Sequence, residues 1–157
     1  MTSKYKPQAP SIVNDLQESG ETFELLDTQE NTESTEWLKN NFPIVSWGRI
    51  DWSKTPESLC IRYGHDSKLA TAFEKIVEEK QLKGSVVIFW SNALTLPIAI
   101  SMDVLGKHAV NIFYEDFDTW ICNEQDQWCI ENYHDGEICF GKCTTINEKK
   151  LKLSDSS

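Results

Sequence analysis

Nowhere do apolar residues run long enough to cross a bilayer. The longest stretches, Val86 to Trp90 and Leu96 to Ile100, fall far short of the roughly 20 residues a spanning helix needs. The chain also lacks a glycine-rich phosphate loop and a G-x-S-x-G frame, the local scaffolds on which nucleotide binding and serine hydrolysis are most readily recognised. Lys and Arg are missing from two long segments, Pro7 to Leu38 and His108 to Gly141. A chain so short of cations is a poor match for nucleic acid or an anionic membrane. The N-terminus, MTSKYKPQAPSIV, carries Lys4 and Lys6 without an apolar run behind them, so no secretory signal is read there and a cytoplasmic location is expected. Five cysteines, an odd number, then point to reduced thiols rather than a disulfide framework. No cofactor is implied.

What is present suits one folded domain. The 157 residues are 39% apolar and include six Trp, with a net charge of -10. Residues 1–10, with Pro7 and Pro10 among polar neighbours, read as a mobile tail, 11–150 as a single domain, and 151–157 as a frayed end. The acidic balance favours association with a basic protein, since long-range attraction speeds encounter and complementary potentials reject wrong partners.

Along the chain, Asp15 to Glu36 holds eight carboxylates spaced every third residue. That period matches neither a helix nor a strand, so the segment reads as partly ordered, with Ser34 or Thr35 capping a short helix from Glu36 to Asn41. IVSWGRIDW, 44–52, alternates like a strand, with Arg49 and Asp51 on one side as a local ion pair flanked by Trp47, and a second short strand follows at Leu59 to Tyr63. The pattern Leu69, Ala72, Phe73, Ile76, Val77 predicts a helix over 66–82, capped by Asp66 or Ser67 and stopped by Gly84. SVVIFW, 85–90, reads as a buried strand, with TLPIAISM, 95–102, as its neighbour. Residues 104–116 fit either a helix or a strand. The last third reads as a β-meander. A turn at Gln125-Asp126 would set Ile121 opposite Ile130 and Cys122 opposite Cys129, and a type I′ turn at Asp135-Gly136 would set Tyr133 opposite Ile138. The expected class is therefore α+β: a mixed or antiparallel sheet, a C-terminal meander and at least one packed amphipathic helix.

Several constellations could carry chemistry. Cys122, Cys129, His134, Cys139 and Cys143 are the residue types of a zinc site, but their spacings do not form two close knuckle pairs. Buried strand cysteines also behave as small hydrophobes. A Cys122 to Cys129 disulfide is a further alternative. Glu115, Asp116 and Asp118 could hold Mg²⁺ in a small metal-dependent enzyme, although no phosphate loop accompanies them. His108, His134 and Ser91 lack a recognisable catalytic frame. The stronger signal lies between His108 and Gly141, where eight acids and no Lys or Arg are interleaved with Trp120, Trp128, Tyr133 and Phe140. On a surface these would set carboxylates beside aromatic anchors, whereas strict alternation would instead turn the rings into a core.

The run DTWICNEQDQWCIENYHDGEICFGK, 118–142, resembles the bacterial immunity proteins of contact-dependent growth inhibition and related polymorphic toxin systems. That resemblance implies a non-catalytic cytosolic inhibitor, without metal, that binds and neutralises a cognate basic toxin, expected to be a nuclease, by covering its active site. On this reading the partner-binding residues are Asp116, Asp118, Glu124, Asp126, Glu131, Asp135 and Glu137 for charge, with Trp120 and Trp128 as anchors. Two other classes stay open: an acidic DNA mimic or effector-binding adaptor, and the metal-dependent enzyme built on Glu115 to Asp118.

Overall fold

A continuous apolar strand such as SVVIFW must be covered on both faces, and the architecture provides both covers. In the computed structural model, which describes residues 6–45 and 48–144, the elements run α1 (Ile12–Glu18), β1 (Glu24–Leu25), α2 (Thr28–Asn41), β2 (Leu59–Arg62), α3 (Leu69–Lys80), β3 (Ser85–Trp90), β4 (Ile98–Ser101), α4 (Met102–Phe113), β5 (Thr119–Asn123), β6 (Trp128–Tyr133) and β7 (Glu137–Lys142). The strands form one seven-stranded sheet in the order β1-β4-β3-β5-β6-β7-β2, and every pairing is antiparallel. The class is α+β, as expected.

Pairing register sorts the side chains by face. One face carries Val86, Ile88, Trp90, Ile98, Ile100, Ile121, Trp128, Ile130, Ile138 and Phe140, which pack with Ile12 and Leu16 of α1, Phe73 and Ile76 of α3, and Leu105, Ile112 and Phe113 of α4. The other carries Phe89, Cys122, Cys129 and Cys139, covered by Leu38 of α2 and by Phe42, Ile50 and Trp52. The two cores lie back to back through the sheet. Burying each large apolar side chain contributes about 1.5–3 kcal/mol.

The predicted helix over 66–82 is present but divided: Asp66–Lys68 is a 3-10 turn, α3 follows, and Gln81 ends it in the left-handed region at φ 52°. The cap is His65, whose Nδ1 accepts from the Ser67 N–H at 3.2 Å, rather than Asp66 or Ser67. Gly84 lies beyond the helix, in the link to β3. Residues 104–113 belong to α4, capped by Ser101 Oγ, which accepts from Val104 N–H at 3.2 Å, and 114–116 turn away from it. The acidic N-terminal segment is ordered. Asp27 caps α2 in a reciprocal capping box with Glu30, so this helix begins at Thr28, well before the expected start at Glu36. Gln8, in the expected tail, exchanges backbone hydrogen bonds of 2.8 Å with Leu94 and Leu96.

The described residues of 44–52 do not form the expected strand. Ile44 meets Ile50 in an isolated antiparallel bridge, Gly48 turns the chain at φ 90°, and Trp52 opens a 3-10 turn. Trp47, assigned to this strand from the sequence, lies outside the described residues, as do residues 145–157, which include the expected frayed end. The β5–β6 register is the expected one, pairing Ile121 with Ile130 and Cys122 with Cys129 across residues 124–127. The β6–β7 register is displaced by one, and Tyr133 faces Glu137, not Ile138. His134, Asp135 and Gly136 form a three-residue loop with Gly136 at φ 87°, the geometry in which a left-handed glycine closes the hairpin.

The cysteines also depart from expectation. Cys60 and Cys139, directly opposite on β2 and β7, form a disulfide. Cys122, Cys129 and Cys143 are free and buried, and burial raises the thiol pKa of Cys143 to about 12.

Candidate functional site

The one-residue shift in β6–β7 has an electrostatic consequence. It brings Glu131, Tyr133 and Glu137 onto the face covered by Phe42, Ile50 and Trp52, where Arg49 meets them. The Arg49 guanidinium donates to Asp135 Oδ2 and Glu137 Oε1, each at 2.6 Å. Its Nε lies 3.5 Å from Glu131 Oε1, and its plane sits over the Tyr133 ring, 4.7 Å from the centroid. Burial alone would lower the Arg49 pKa, but Asp135, Glu131 and Glu137 together raise it above its usual value. Arg49 therefore does not pair with Asp51, which instead caps the 3-10 turn at Ser53.

Glu131 is the centre of this network. It is 1% exposed, and its carboxylate accepts from Ile50 N–H at 3.0 Å, Trp52 Nε1 at 2.9 Å and Trp120 Nε1 at 2.9 Å. Burial raises its pKa despite those three donors and Arg49. The carboxylate fastens the irregular segment 49–52 to the sheet, and this occupies its acceptor sites from within.

The nine residues expected to bind a partner are thus dispersed. Glu131, Asp135 and Glu137 are paired with Arg49, and Arg62 Nη2 approaches both Asp135 and Glu137 at 3.9 Å. Asp118 is buried, and its Oδ1 accepts from His134 N–H at 2.8 Å and lies 2.9 Å from His134 Nδ1. Trp128 is 2% exposed in the main core, so it offers a partner no surface. Trp120 stacks on Phe89, with ring centroids 5.7 Å apart, and lines a cleft of about 320 Å³ beneath α2. Asp116 lies where β5 begins, whereas Glu124 and Asp126 lie in the turn where it ends. A five-residue strand separates these ends by about 17 Å.

The catalytic and metal constellations are likewise taken apart. Glu115 accepts from the Ser11 N–H at 2.7 Å and the Ser11 hydroxyl at 2.6 Å; Asp116 accepts from Asn92 N–H at 2.8 Å and Phe117 N–H at 2.7 Å; and Asp118 holds His134. These carboxylates point to separate partners and do not converge on one cation. His134, at the far end of β6 from Cys129, cannot complete a cysteine site. Among the described residues only Cys60, Glu137 and Cys139 gather as potential metal ligands, and there the two sulfurs are bonded to each other while Glu137 is paired with Arg49. Ser91, Asp118 and His134 line one shallow concavity, but no hydrogen bond joins Ser91 to His134 among the described residues.

Sequence reasoning passed over the exposed apolar groups. Among the described residues these are Leu25, Val110, Tyr114 and Phe117, and Phe117 is 78% exposed. Their signal was present in the α4 pattern, because Val110 and Tyr114 fall outside the stripe Leu105, Ala109, Ile112, Phe113 that the helix buries.

Residues 13–141 match the family described as CdiI immunity protein EcoliA0-like. No curated protein matches the chain. Among the described residues no helix is long and apolar enough to cross a membrane.

Proposed function

The chain belongs to the CdiI immunity protein EcoliA0-like family, whose members neutralise a cognate toxin, and from that premise we propose that it does so by binding a basic nuclease toxin one to one and covering its active site. The family match across residues 13–141 carries this reading. The charge supports it: a net charge of -10 complements the cationic groups a nuclease uses to hold a phosphate backbone, and such complementarity speeds association. The inhibitor works stoichiometrically and in the cytoplasm, where the incoming toxin would meet its substrate. Of the residues expected from the sequence, Asp116, Glu124 and Asp126 lie outside the Arg49 network, Asp116 with each oxygen accepting one backbone N–H, while Glu131, Asp135 and Glu137 hold the inhibitor's own shape through Arg49.

The experiment is a nuclease assay with the cognate toxin domain. Equimolar inhibitor should abolish cleavage, and the inhibition should weaken as salt screens the charges. Full nuclease activity with inhibitor in excess would defeat the proposal.

A further inference from the structure

Exposed apolar side chains scattered singly need no explanation, but a contiguous set rimmed by polar groups marks an interaction site. Among the described residues, three of the four exposed large hydrophobics, Val110, Tyr114 and Phe117, fall within eight residues at the C-terminal end of α4. Val110 and Tyr114 are one helical turn apart on the same flank. Asp116 sets the position of Phe117 by accepting its N–H at 2.7 Å, so this ring is presented by a tied loop. Beside the two rings lies a cleft of about 450 Å³ lined by Asp66, Tyr114, Asp116, Phe117, Asn132 and His134, among others, with no Lys or Arg among the described residues that line it. Asp66 is exposed.

Resting on the immunity reading above, we propose that this end of the molecule, centred on Phe117 and Tyr114 and bounded by Asp66 and Asp116, is the surface that docks the toxin, and that it receives an arginine-bearing basic face. Arginine is the residue whose planar cation both stacks on an aromatic ring and pairs with a carboxylate. Tyr114 and Phe117 supply the rings, Asp66 the exposed carboxylate, and Asp116 the lone pairs that its two backbone hydrogen bonds leave, within a single cleft. The acids at the opposite end of β5, Glu124 and Asp126, have no exposed large hydrophobic beside them in the β5–β6 turn and do not form the contact.

The test is calorimetric titration of the cognate toxin domain with the intact chain and its variants. Phe117→Ala and Tyr114→Ala should each weaken binding about 10- to 100-fold, as central aromatic anchors do. Asp66→Lys should weaken it similarly, and Glu124→Lys should change affinity less than about 3-fold, as expected of a charge outside the contact. Phe117 is mostly exposed, so its variant should unfold like the parent. Wild-type binding left intact by Phe117→Ala, Tyr114→Ala and Asp66→Lys would overturn this surface while the immunity reading stands. Failure of the unmodified chain to bind that toxin would overturn both.

Discussion

Replacing Glu131 by Gln preserves shape while removing one acceptor oxygen and the charge, which tests whether this buried carboxylate ties residues 49–52 to the sheet. Oε1 accepts from Trp52 Nε1, and Oε2 accepts from both Ile50 N–H and Trp120 Nε1. An amide has one oxygen, so in either orientation at least one buried N–H faces an NH₂ group, and Arg49 loses one of its three anions. A hydrogen bond to a charged group contributes about 1.5–3 kcal/mol, and an unsatisfied buried donor costs a further 1–3 kcal/mol. Part of that is returned because Gln need not bury a charge, a cost already visible in the raised pKa of Glu131. The net expectation is a loss of about 2 kcal/mol, read in urea as a midpoint lowered by on the order of 1 M. Trp52 and Trp120 fluorescence should report the same transition. The pH dependence has a definite sign. Folding raises this pKa, chiefly through burial, so the native state holds the proton more tightly than the unfolded chain. The Glu131 contribution is largest below the ordinary value of 4.5 and declines as pH climbs through the raised one. The deficit of Glu131→Gln should therefore be greatest in acid and shrink toward neutral pH. A stability change under about 0.5 kcal/mol at every pH would refute the network's role.

Other parts of the fold make equally direct predictions. A Cβ at Gly141 would lie 2.8 Å from Trp52 Cζ3 and closer still to Thr55 Cγ2, so Gly141→Ala should cost about 1–3 kcal/mol by overpacking, measured by urea unfolding. Cys60 is exposed and its disulfide closes a separation of 79 residues, so dithiothreitol or Cys60→Ser should lower stability by about 2–4 kcal/mol; an unchanged midpoint would show that the bond contributes nothing. The three free cysteines are buried, and desolvation holds the Cys129 thiol well above its usual pKa. A chromogenic disulfide reagent should therefore find no fast thiol in native, unreduced protein and three after unfolding.

What was legible in the sequence was what periodicity encodes. The α3 stripe and the β3 run bury residues of one character, so pattern and packing agree. The same holds for β5 and β6, where Ile121 and Ile130 pair as their alternation requires. Elements whose buried surface is polar were not legible. Helix α2 was shortened in the reading because its inward positions include Ser34 beside Leu38, while Asn31 Nδ2 donates to Ala93 O at 3.2 Å. Residues 44–52 looked like a strand through β-branched and aromatic content, yet Trp52 and Arg49 are drawn in by the carboxylates of Glu131 and Glu137, a tertiary pull invisible locally. The Asp135-Gly136 dipeptide announced a hairpin correctly and its length wrongly, and one residue of slip exchanges every side chain between faces. That slip moves Glu137 to Arg49 and Ile138 into the main core. The Cys60 to Cys139 bond was illegible because spacing does not encode connectivity.

The dispersal of the acidic block also changes how its charge should act. Arg49 and Arg62 offset two of the three charges on Glu131, Asp135 and Glu137, and Asp118 is turned toward His134, so this part of the block is less anionic outside than its composition suggests. The remaining carboxylates divide by position: Glu115 and Asp116 flank the exposed rings, while Glu124 and Asp126 occupy the turn beyond the other end of β5. Charges outside a contact act mainly on encounter, whereas buried anchors act mainly on dissociation. Stopped-flow measurement with the toxin should therefore separate the two ends. Glu124→Lys should slow association and flatten its salt dependence while leaving the dissociation rate unchanged. Phe117→Ala should do the reverse, raising the dissociation rate about 10-fold or more. Faster dissociation caused by Glu124→Lys would place that turn inside the contact and contradict the division of labour inferred from the Phe117 end.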